Sequence, residues 1–215
     1  MPKKAAKAIP PEKGRKAASV LRNRAALLKS TQEVMAIKGE ALTIEDIAEH
    51  AQVAVSTIYK HFADKDTLIS ATMLFGFSEW FTAVQSKIEQ SKDPLEKLVL
   101  PMRYFVRVKY THPHHGQNMV NFFGLISGFL PLLEADLIEH IKELTKAKLL
   151  ICTDPEVAAR NIQAVLTFAA THQVTNPKAT IKDADASVRV ALSMIGISAA
   201  KAHVLTESKL TDFKR

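Results

Sequence analysis

At 215 residues the chain is long enough for one sizeable core, or for a small domain joined to a larger one. Its 47% hydrophobic and 24% charged content is that of an ordinary globular protein, and a single cysteine, Cys152, excludes an intramolecular disulfide framework and a cysteine-based zinc module. The net charge of +7 is gathered at one end, because residues 1–29 hold nine Lys and Arg against Glu12 alone. Such an arm suits a polyanion, although a solvated tail has the same composition.

Met1 to Ser19 holds no apolar run that would serve as a signal-peptide core, and polar residues interrupt the longer apolar stretches, so none is expected to cross a bilayer. With one cysteine, the expected location is the cytoplasm.

Residues 1–18 are rich in Lys, Ala and Pro without an apolar face, and read as a basic flexible arm. From Ser19, Leu21, Ala25, Leu28, Thr31 and Met35 recur at helical spacing until Gly39. Thr43-Ile44-Glu45-Asp46 has the form of a capping box opening a short helix through Ala51. After Gln52-Val53 a second short helix carries Ile58 and Phe62 one turn apart, and a long helix runs from Asp64 to about Gln90. Pro94 opens the next, to about Tyr110, and His112–Gly116 reads as a loop. A helix or broken helix follows over 117–129, and another begins at Pro131. Asp154-Pro155-Glu156 is a helix start, with a capping carboxylate and proline at the first position, and that helix reaches Val174. A last helix spans about 184–208. The series predicts an all-α chain of about nine helices, with an N-terminal three-helix helix-turn-helix domain over 19–65 and a larger helical domain over 66–215.

In the helix-turn-helix, Ile47, Ala48, Val53, Ile58 and Phe62 are placed to share a small core with the preceding helix. Val55, Ser56, Tyr59, Lys60 and His61 are left outward, and hydroxyls, a phenol and bases on a short exposed helix suit a major groove. The stretch resembles the N-terminal domain of the tetracycline-repressor (TetR-like) family. Thr43, Asp46-Ile47-Ala48, Ala51, Val53, Thr57-Ile58-Tyr59, His61-Phe62, Lys65 and Leu68 carry the resemblance, which is strong over about residues 20–70.

The resemblance implies that Thr43 caps its helix near a phosphate and that Val55, Ser56 and Tyr59 face base edges. Thr57, Tyr59, His61 and Lys65 would contact phosphates, with Lys60 supplementing either set. Three positions depart from the family pattern. Gln52 replaces the usual turn glycine, Ala54 replaces a capping Ser or Thr, and Glu45 stands where the family is often basic or neutral.

The resemblance also implies a sensor and dimerisation domain over 66–215, and hence a ligand-responsive regulator, most simply a repressor, that binds palindromic operator DNA as a homodimer. The helices at 155–174 and 184–208 are each apolar on two sides, as a four-helix interface between subunits requires. Phe77, Trp80, Phe81, Met102, Phe105, Phe122, Phe123 and Phe129 are candidates to line an effector pocket, or form plain core. Arg103, Arg107 and Lys109 are candidate anchors for an acidic ligand. His112, His114 and His115 lack the carboxylate or cysteine pattern of a metal site, so no metal or cofactor is expected. No nucleophile elbow or phosphate loop points to an enzyme. The alternative is a constitutive or architectural DNA-binding protein without an effector.

Overall fold

The computed structural model describes residues 12–128 and 130–210, and every regular element among them is a helix. Lys3, Lys4, Lys7 and Phe129 lie outside the described residues, as do the side chains of Lys13, Arg15 and Lys16. Helix α1 (Glu12–Lys38) starts ahead of the expected Ser19, and a 3-10 turn at Gly39–Ala41 leads to α2 (Ile44–His50) and α3 (Val55–His61). Leu27, Leu28 and Met35 of α1 pack with Ile44, Ile47, Ile58 and Phe62 in the core of this small domain, whereas Leu21 is exposed.

Helix α4 (Lys65–Ile88) is N-capped by Asp64, which accepts from the Thr67 amide at 2.7 Å. Contrary to the sequence expectation, α4 is long and apolar enough to cross a membrane by length and composition. Here its Leu68, Thr72, Met73, Gly76, Trp80 and Val84 are buried, and it packs against α1 and the next helix.

The remaining elements are α5 (Pro94–Val106), α6 (Val108–Thr111), α7 (Pro113–Asn121), α8 (Phe123–Ile126), α9 (Leu130–Lys146), α10 (Pro155–Thr175), α11 (Ile181–Ser193) and α12 (Ala199–Glu207). Twelve helices replace the expected nine because three expected helices are each broken once, at Arg107, at Phe122 and between α11 and α12.

The third break has a clear cause. Gly196 sits at φ +75, its amide donates to Ser193 O and the Ile197 amide to Leu192 O, both at 3.2 Å. These are the paired bonds of a Schellman stop, and Ser198 then caps α12 by accepting from the Lys201 amide. The expected loop at His112–Gly116 is also overturned. Pro113 occupies the first position of α7, and the Gly116 amide donates to His112 O at 3.0 Å.

A second, larger core joins α5, α9, α10, α11 and α12 through residues such as Val99, Met102, Ile141, Ile162, Val188 and Leu192. Arg103 and Arg107 belong to its framework rather than to a ligand site. Arg103 is buried, donates to Ser208 Oγ (2.9 Å) and Ser208 O (2.8 Å), and pairs with Asp185. Arg107 pairs with the other oxygen of Asp185, and Lys109 donates to Gln173 O at 2.7 Å. Buried cations need this degree of pairing.

Candidate nucleic-acid interface and ligand chamber

The capping box that opens α2 is complete. Thr43 Oγ1 accepts from the Asp46 amide (3.2 Å), and Asp46 Oδ2 accepts from the Thr43 amide (2.9 Å). A hydrogen bond from Lys38 and then the Thr43 amide hold the Asp46 carboxyl down at about 2. Thr43 and Glu45 are both exposed at this end of α2.

The turn between α2 and α3 stops α2 in the same manner as Gly196 stops α11. Gln52 has φ 54, its amide donates to Glu49 O (3.1 Å) and the Val53 amide to Ala48 O (2.9 Å). An L-residue with a side chain thus holds a conformation that favours glycine. Ala54, the N-cap of α3, provides no side-chain bond.

Burial of Ile58 fixes the roll of α3 and turns Ser56, Tyr59 and Lys60 to solvent, with Tyr59 53% exposed. Val55 is half-buried and packs against the domain core, while Thr57 and His61 are half-buried at the flanks. Lys65 is half-buried, and its ammonium donates to Leu42 O (2.7 Å) and Glu40 O (3.4 Å), tying α4 to the turn before α2. The sequence reading missed Arg24, whose guanidinium lies 4.9 Å from the Phe62 ring centroid, beside the end of α3.

Two cavities lie behind this domain and share Trp80, Phe105, Leu130 and Leu133 as a common wall. The inner one, of about 80 Å³, reaches α1 at Gln32 and α7 at His115 and Asn118. The outer one, of about 320 Å³, lies among α4, α5, α9 and α10. Phe77, Trp80, Phe81, Met102 and Phe105 line one or both. Phe122 lines neither. It is buried in the core of the small domain, because α7 ends against α1. Phe123 also lines neither, and faces an exposed cleft beside Phe168.

The inner wall is polar where it meets α1. Gln32 Nε2 and His115 Nε2 lie 3.1 Å apart in a hydrogen bond, Asn118 Nδ2 donates to Gln32 O (3.0 Å), and Asn121 Nδ2 donates to Met35 O (3.1 Å). His115, Asn118 and Asn121 share one face of α7 and clasp the small N-terminal domain to the larger one. Trp80 Nε1, His115 Nδ1 and Asn118 Oδ1 are buried without a hydrogen-bond partner. Burial, helped by His112 and His114, pushes the His115 imidazole down to about 4, so it is neutral near pH 7. The His112 and His115 rings stack at 5.0 Å, and among the described residues no group of three or more His, Cys, Asp and Glu is placed to hold a metal ion.

Helices α10 and α11 also expose large apolar side chains. Val157 and Phe168 of α10 and Val190 of α11 face solvent, Phe168 at 75%. Phe168 stands between two shallow clefts, one bordered by Val120 and Phe123 and the other by Ser187.

Comparison with known proteins agrees with this architecture. Residues 27–72 match the family of bacterial regulatory proteins, tetR family. The HTH-type transcriptional repressor KstR2 of Mycobacterium tuberculosis is 31% identical over 109 residues, which is 49% of this chain and 52% of that repressor. The chain thus spans about half the length of the repressors that it matches in sequence. In fold it is similar to RolR in complex with resorcinol (TM-score 0.70, 21% identity, covering 92% of this chain and all of that one). It is also similar to FadR of Bacillus subtilis in complex with stearoyl-CoA (TM-score 0.62, 17% identity, covering 79% of this chain and 98% of that one).

Proposed function

Taking residues 27–72 as a tetR-family DNA-binding domain and the whole chain as TetR-like in fold, we propose that this protein is a transcriptional repressor that binds palindromic operator DNA as a homodimer and lets go when a small molecule fills the chamber behind α4. The observation that carries the DNA half is the roll of α3, which buries Ile58 and offers Ser56, Tyr59 and Lys60 together. Ser56 and Tyr59 are assigned to base edges, with Val55 against an apolar group such as a thymine methyl. Thr43, Thr57, His61 and Arg24 are assigned to phosphates, and Lys60 to either. Lys65 acts first by fixing the approach of α4, and Glu45 borders the groove. The reading gives the chain a binding role and no catalytic one, and it requires the cytoplasmic location in which operator DNA is found.

Three buried polar atoms without partners, around an otherwise apolar chamber, support a bound effector. RolR and FadR, which share the fold, hold resorcinol and stearoyl-CoA respectively. The α7 clasp supports coupling, because Gln32, His115 and Asn118 line the inner chamber and also hold α1. An occupant that displaces α7 shifts α1, and with it the separation of two α3 helices in a dimer. The exposed apolar face of α10 and α11 supplies the dimer surface in this reading.

The test is recovery of genomic DNA fragments bound by the purified chain. A shared palindrome whose half-sites lie about one helical turn apart is the expected result. Fragments with no common sequence would overturn the reading.

A further inference from the structure

Lys97 lies in α5 on the wall of the outer chamber, half-buried, beside Met102, Leu137 and Leu166. Its amide donates to Asp93 O at 3.0 Å, but among the described residues its ammonium has no ion pair and no hydrogen bond. An anion is the partner that an unpaired ammonium at the edge of an apolar chamber binds most strongly. The other polar groups of this wall do not supply one. Asp136 is exposed and unpaired, Gln163 donates its amide to Leu130 O at 2.6 Å, and the His140 imidazole is pushed down by burial and, against the pull of Glu143, by Lys97. Inward from Lys97 the lining turns apolar at Trp80 and Phe105 and stays so at Phe77, Val108 and Met119, short of the polar end at Gln32, His115 and Asn118.

We propose that the effector is an apolar molecule carrying a single carboxylate, with the carboxylate held by Lys97 at the outer chamber and the apolar body running past Trp80 and Phe105 toward the inner one. One unpaired ammonium pairs with one negative charge. His140 lines the same chamber and offers an imidazole N–H to the second carboxylate oxygen. The proposal rests on the effector reading above and names the chemistry of its ligand.

Trp80, the one tryptophan in the chain, stands in the wall shared by both chambers and reports their occupancy. The experiment titrates the full chain, and its Lys97→Met and Lys97→Arg variants, with decanoate and with decan-1-ol while Trp80 fluorescence is read. Saturable decanoate binding is expected, weakened about tenfold or more by Lys97→Met and largely kept by Lys97→Arg, with decanol affinity equal in all three proteins. No saturable decanoate binding, or equal decanoate affinity in wild type and Lys97→Met, would overturn the proposal. Anisotropy of bound operator DNA separates the two readings. Lys97-dependent decanoate binding that leaves DNA bound supports the carboxylate site and contradicts the assignment of its ligand as effector.

Discussion

Gln32 of α1 and His115 of α7 meet in a 3.1 Å hydrogen bond that crosses from the DNA-binding domain to the larger domain, directly above Gly76 of α4. A Cβ at Gly76 would stand 2.3 Å from Gln32 Nε2 and 3.0 Å from the His115 ring. Gly76→Ala therefore forces the flexible end of Gln32 aside and breaks the bond, while α4 gains up to about 1 kcal/mol of helix propensity. The expected variant is folded and binds operator DNA, yet effector releases it less completely. Anisotropy titrations of effector into the protein–DNA complex check this, and an unchanged release curve contradicts the role given to the clasp.

His115 also sets a pH dependence. Its folded-state value near 4 lies below the ordinary 6.5, through burial first and then its neighbours His112 and His114, while Gln32 faces it from α1. Between those values the unfolded chain binds the extra proton more readily, so stability falls as pH drops from about 6.5 toward 4. The slope approaches about 1.4 kcal/mol per pH unit at most. Urea unfolding across that range should show the loss, and His115→Gln should flatten it.

The recognition helix is under-stabilised at its start. Ala54→Ser supplies the missing cap and should add about 0.5–2 kcal/mol. Gln52→Gly relieves the residue at φ 54 and should add about 1 kcal/mol. Thermal melts are expected to rise by about 2–4 °C for each kcal/mol gained. A lower melting temperature for either variant contradicts the geometry of this turn.

Phe168 is 75% exposed on α10 and borders one cleft with the exposed Phe123, and a contiguous apolar patch of this kind marks an interaction surface. Phe168→Asp should convert the proposed dimer to monomer at micromolar concentration and weaken operator binding with it, as light scattering and anisotropy would report. A variant that remains dimeric places the interface elsewhere.

Local chemistry was legible in the sequence wherever one short segment decides the outcome. The Thr43–Asp46 box, the Asp154-Pro155 start, the uncapped Ala54 and the glycine-like Gln52 all stand in the structure as their residue types imply. Pro113, Gly196 and Ser198 carried equally local signals, which the expected loop at 112–116 and the unbroken 184–208 helix overlooked. Other features depend on contacts between distant segments, and periodicity is blind to these. Arg103 meets Asp185 across the larger domain, and Phe122 belongs to the core of the small domain rather than to a chamber. Candidate chamber residues on α4 and α5 were found because long apolar helix faces must cover something, whereas Gln32 and Lys97, polar residues on amphipathic helices, carry no such mark.

In the proposed complex two copies of α3 read one palindromic site, and anisotropy with the recovered operator, a scrambled duplex of equal length and the Tyr59→Ala variant tests this. Two chains per operator are expected, binding on the order of a thousandfold or more tighter than to the scrambled duplex at physiological salt, with most of that preference lost in Tyr59→Ala. Equal affinity for both duplexes, or a preference untouched by Tyr59→Ala, would contradict it.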